Sequence, residues 1–115
     1  MIKVLDLSAF QELFEDEADF QEEILTLFLE ETPKKLERMQ QAYASGDMHT
    51  VSQIAHSLKS PFSTLGGTAM MEMVTKLEHN SDLEPAMLRQ VLDELTNSLS
   101  QGYKEVRVAL QQLSA

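Results

Sequence analysis

Apolar residues recur along this chain at spacings of three and four, and the spacing reads as helix throughout. Val51, Ala55, Leu58, Phe62 and Leu65 are separated by 4, 3, 4 and 3 positions, which places all five on one side of a helix as a core seam. Gly66 and Gly67 end it. Met70, Met73, Val74 and Leu77 predict a further helix from about Thr68 to His79. Asn80 to Glu84 predict a turn, and Pro85 suits the first turn of a last helix. From Leu88 through Leu92, Leu95, Leu99, Tyr103, Val106 and Leu110 to Leu113 the helical spacing then persists to near the end.

Upstream, Phe20, Ile24, Leu27, Phe28, Leu36, Met39 and Tyr43 predict a long helix from about Asp19 to Ala44, with a kink or break at Pro33. Ser45, Gly46 and Asp47 read as a stop followed by a new N-cap. Leu7, Phe10, Leu13 and Phe14 predict a short first helix, with Asp6 or Ser8 as its cap. Such a helix is too short to stand alone and is expected to lie across the others. Nothing reads as a strand. The expected fold is all-α: an antiparallel four-helix bundle with a short N-terminal helix across it, one domain over residues 1–115.

Composition narrows the classes of function. The chain has 115 residues, which suits one modest core, and no cysteine, which excludes disulfides and thiolate chemistry. No signal peptide and no membrane-length apolar run is visible, so the expected location is the cytoplasm. The net charge of −10 argues against nucleic acid or an anionic membrane as partner. That charge is uneven. Residues 1–31 carry ten acids and one lysine, a net of −9, and the rest carry nine acids and eight bases, a net of −1.

One stretch is free of acids altogether. No Asp or Glu occurs between Met48 and Met71, and His56 sits inside it. At about 100° per residue, His56 lies roughly 140° from the centre of the apolar seam and faces water. Ser52, Lys59 and Ser63 share its polar side, with His49 and Ser60 beyond. A neutral imidazole is a nucleophile near neutral pH, whereas a nearby carboxylate would raise its pKa and repel phosphate. Lys59 can reach back to neutralise part of a phosphoryl group's charge, and small Ser60 leaves room for another protein. With no metal-binding acids or general base expected around it, His56 reads as a phosphoryl acceptor that another protein's catalytic site must visit, not as part of an enzyme.

These residues resemble the signature of histidine-containing phosphotransfer (HPt) domains: Ala55, His56, Leu58 and Lys59, with Gly66 at the second glycine position. LDLSAFQELF, ILTLFLEETPKKLERMQQAYASGD, the KLE of Lys76 to Glu78 and YKEVRVALQQL resemble further HPt pieces in the same order. The resemblance implies a four-helix bundle with His56 as the phospho-accepting residue and Lys59 as its phosphate-stabilising neighbour. Ser52, Ser60, Ser63 and Gly66 are expected to border the partner surface. The family's usual glycine after the lysine is Ser60 here, and Pro61 is expected to bend the helix just past the site.

The resemblance also implies a phosphocarrier in a multistep, two-component phosphorelay, taking phosphate from one receiver-domain aspartate and giving it to another. Its partners would be response-regulator receiver domains and a hybrid sensor histidine kinase. Mg²⁺ would belong to the receiver, with no cofactor on this chain, which is expected to be a monomer. Lys34, Lys35 and Arg38 are candidates to face an acidic receiver rim.

Plainer roles stand beside these. His49 lies seven residues before His56, not at the spacing of a metal pair. His79 reads as a helix-end residue, and Met70 and Met73 as core. The acidic front reads as a solvated face or a filter on partner choice. A non-catalytic bundle adaptor is the alternative of a different class. The third reading, the HPt module of a larger sensor kinase, is disfavoured by the initial Met and the short tail.

Overall fold

The computed structural model describes residues 2–114, and most of them are helical. They are α1 (Ser8–Leu13), α2 (Ala18–Ala44), α3 (Met48–Thr64), α4 (Thr68–Glu78) and α5 (Pro85–Ser114), with a 3₁₀ turn over Asn80–Asp82. Among the described residues there is no strand. α2 packs on α3 and α5, and α4 packs on the same two. Short connections reverse the chain each time, so the four long helices form an antiparallel ring around one core. The bundle is 45 Å long, the length of the 30-residue α5 at about 1.5 Å per residue.

The seam expected for α3 is the one observed. Val51, Ala55, Leu58, Phe62 and Leu65 are all buried, each large side chain contributing about 1.5–3 kcal/mol by leaving water. Asp47 caps α3 by accepting from the backbone N–H of Thr50. The Thr50 hydroxyl also donates to it, and these two bonds hold its carboxyl below the usual carboxylate range.

α2 departs from expectation in two ways. It runs through Pro33 without a break. The proline removes a single backbone bond, and packing of Leu25, Phe28, Leu36 and Met39 on both sides holds the helix together. Its buried positions are Gln21, Leu25, Phe28, Thr32, Leu36, Met39 and Ala42, whereas Phe20 and Leu27, expected in the core stripe, are exposed. Gln21 earns its buried place by donating from Nε2 to the carbonyl of Phe14 at 2.6 Å, which ties α1 to α2.

The N-terminal segment straps the far half of the bundle. The backbone N–H groups of Val4 and Leu5 donate to the Glu105 carboxylate at 2.9 and 3.0 Å. Leu5 is buried, and Asp6 N–H donates to the Gly66 carbonyl at 3.1 Å. Gly66, just past α3, has φ +70°, and a Cβ there would overlap the Asp6 carbonyl. Glycine at this position therefore serves both the helix reversal and the docking of the strap. Asp6 does not bond across the α1 terminus as an N-cap does. Its Oδ1 accepts from the N–H and hydroxyl of Ser8, two residues on.

Candidate functional site

The α3–α4 hairpin sets the site. His56 lies ten residues before Gly66, and Glu78 lies eleven after Gly67. Two antiparallel helices rising equally per residue bring those positions level. Glu78 Oε2 stands 2.5 Å from His56 Nδ1, and Glu78 Oε1 pairs with Lys59 Nζ. The imidazole is 70% exposed, Lys59 29% and Glu78 17%. The imidazole is thus presented to solvent over a half-buried ion pair.

This corrects the expectation that no acid would stand near His56. α3 carries none, but α4 supplies one across the helix interface. The Lys59 ammonium, ahead of the His56 bond, holds the Glu78 carboxyl below the usual carboxylate range. Glu78 is therefore anionic near neutrality. An ionised carboxylate only accepts, so Nδ1 carries the hydrogen and, in the neutral ring, Nε2 carries the lone pair.

The other expected site residues are spread over several roles. Ser52 turns inward, its hydroxyl donating to the Glu78 carbonyl at 2.6 Å, and Asn80 Nδ2 donates to the carbonyls of Met48 and Leu77. Both brace the end of α4 that carries Glu78. Ser60 and Ser63 are exposed on α3, while Gly66 faces the strap. α3 continues through Pro61 to Thr64. The carbonyl this proline leaves without a helical donor is that of Ser57, an exposed residue.

His79 is the C-cap residue of α4. Its backbone N–H donates to the Thr75 carbonyl, and its exposed ring places Nε2 3.9 Å from Glu78 Oε1. Met70 is buried and Met73 half-buried. Of the basic trio on α2, Lys34 pairs with Glu31 at 3.8 Å and Arg38 is exposed. Lys35 borders the cleft between α2 and α3 together with Ser60.

Glu78 is the residue that the sequence reading left out of the site. The signal that finds it is the hairpin register, counted outward from the two glycines. No helix among the described residues is long and apolar enough to cross a membrane.

A family model described as the Hpt domain matches residues 23–113. No curated protein and no solved structure matches the chain.

Proposed function

Since the chain belongs to the Hpt family, a phosphotransfer module of phosphorelay signalling, we propose that His56 is its phosphoryl-accepting residue and that residues 1–115 act as one carrier unit between receiver domains. The observation that carries this reading is the pairing of an exposed His56 with Glu78 at Nδ1 and the resulting free lone pair on Nε2.

In the transfer step, His56 Nε2 attacks the phosphorus of an aspartyl phosphate on a receiver domain. The N–P bond forms, the P–O bond to the aspartate breaks, and the aspartate leaves as a carboxylate. The ring keeps its Nδ1 hydrogen and becomes a phosphorylated imidazolium. Glu78, already bonded to Nδ1, compensates the positive charge that develops there. Lys59 pairs with Glu78 one helical turn from His56, and on this reading it shifts part of its charge to the phosphoryl oxygens as they arrive. Reversal of the same step on a second receiver returns a neutral ring.

We place the Mg²⁺ of this chemistry on the receiver. The partners on this reading are response-regulator receivers and the receiver of a hybrid sensor kinase. The test is a two-step transfer in which label passes from a phosphorylated receiver to this chain and then to a second receiver. Label that reaches the chain and leaves only as inorganic phosphate would contradict a carrier role.

A further inference from the structure

Glu78 is the last residue of α4, and helix ends are where a helix opens first. A carboxylate placed there holds His56 only if the terminus itself is held. α2 and α3 run into glycines with positive φ, Gly46 and Gly66, and each closes on its own backbone. Asp47 N–H donates to the Ala42 carbonyl, and Gly67 N–H to that of Phe62. α4 ends differently. Its C-cap residue, His79, has φ −101°, and two of its last four carbonyls are met by side chains. The Glu78 carbonyl accepts from the Ser52 hydroxyl, across the interface on α3, at 2.6 Å. The Leu77 carbonyl accepts from Asn80 Nδ2 at 3.0 Å. The same amide donates at 2.9 Å to the carbonyl of Met48, the first residue of α3, so each of its two hydrogens serves one helix.

Ser52 stands four residues before His56, and Lys59 three after it. At about 100° per residue the three lie within roughly 60° of one another, a polar seam on α3. They grip Glu78 at both ends. Ser52 holds its backbone carbonyl, while His56 and Lys59 hold its two carboxylate oxygens. The backbone grip sets the height along α3 at which the carboxylate stands. Opening of the last turn of α4 would carry that carboxylate away from Nδ1, because nothing in a frayed turn fixes the side chain.

We propose, resting on the carrier reading above, that Ser52 and Asn80 are positioning residues for phosphoryl transfer. They clamp the end of α4 to α3, so that Glu78 meets His56 Nδ1 and leaves Nε2 free. Both act through Glu78 and not on the phosphoryl group. Ser52 thereby takes a role inside the hairpin, in place of the border of a partner surface that its polar position suggests.

The test uses the full chain and two variants that keep its shape. Ser52→Ala removes the hydroxyl and puts a better helix former on α3, so helical content should hold. Asn80→Asp keeps the side-chain outline and loses both donors. Nitrogen NMR of the His56 ring should show the Nε2 lone-pair tautomer in the wild type and a mixture in either variant. Ser52→Thr, which keeps the hydroxyl, should restore it. Phosphate uptake should fall about two- to tenfold in each variant, the range of one lost hydrogen bond. The fall should be the same from a phosphorylated receiver and from phosphoramidate, a small donor that needs no docking. It should appear in kcat, with KM for the receiver unchanged. In a Glu78→Ala background, Ser52→Ala should cost nothing further. An unchanged tautomer, a loss confined to KM for the receiver, or an equal loss in both backgrounds overturns the proposal and leaves the carrier reading standing. Absence of uptake by the wild-type chain from a phosphorylated receiver overturns the carrier reading and this proposal with it.

Discussion

Glu78 Oε2 lies 2.5 Å from His56 Nδ1, although the two residues are 22 positions apart and on different helices. The contact makes Glu78 a positioning residue: it fixes which ring nitrogen is free. Glu78→Gln keeps an acceptor oxygen but no charge, and Glu78→Ala keeps neither. Nitrogen NMR of the imidazole should show the Nε2 lone-pair tautomer in the wild type and a mixture in Glu78→Ala. Phosphate acceptance should fall in the order wild type, Gln, Ala. An unchanged tautomer in Glu78→Ala would assign the glutamate to packing alone.

Lys59 shares Glu78 with His56, pairing with the other carboxylate oxygen. A charged hydrogen bond contributes about 1.5–3 kcal/mol, so Lys59→Ala should slow phosphoryl transfer about 10- to 100-fold. Its melting temperature should stay within a few degrees of wild type, because no apolar core is disturbed. Rates equal to wild type would leave the lysine as a partner for Glu78 and nothing more.

Much of this was legible in local pattern. The α3 seam appears at the predicted five residues because each is apolar and the spacing is regular. α2 was harder, since its true seam passes through Gln21 and Thr32, two polar residues that a hydrophobic count skips. Gln21 is buried because it serves the Phe14 carbonyl, a contact between elements. Glu78 escaped for a similar reason. The charge around His56 was read along one helix, while the acid arrives from the next. The uninterrupted α2 shows a further limit: the cost of Pro33 is local, but the packing that offsets it is tertiary.

Two glycines with positive φ separate conformational cost from collision. Gly46 has φ +79° and open space around its Cα, whereas at Gly66 a Cβ would overlap the Asp6 carbonyl. Gly46→Ala should cost about 1–2 kcal/mol, the penalty of the left-handed conformation. Gly66→Ala should cost clearly more and loosen the strap. Urea midpoints compare the two, and equal losses would mean that the strap yields freely.

Acid should destabilise the fold by a defined route. Ser8 holds the Asp6 carboxyl below its ordinary value, Thr50 does so for Asp47, and Lys59 followed by His56 does so for Glu78. In each case the unfolded chain takes up a proton at higher pH than the folded chain. The stabilisation is therefore present above the ordinary carboxylate range and is lost as pH falls through it and below. Thermal melts should fall over that window, and the fall should be shallower in Asp47→Asn. A pH slope identical to wild type in that variant would remove Asp47 from the account.

Which atom accepts the phosphoryl group decides whether His56 is the carrier residue. The wild-type chain and His56→Gln are incubated with a phosphorylated receiver domain and Mg²⁺, and the phosphate is located by intact mass and peptide mapping under alkaline conditions. One acid-labile phosphoryl group is expected on His56 in the wild type and none in His56→Gln, with the variant folded. Phosphate on another residue, or uptake that persists in His56→Gln, would contradict it.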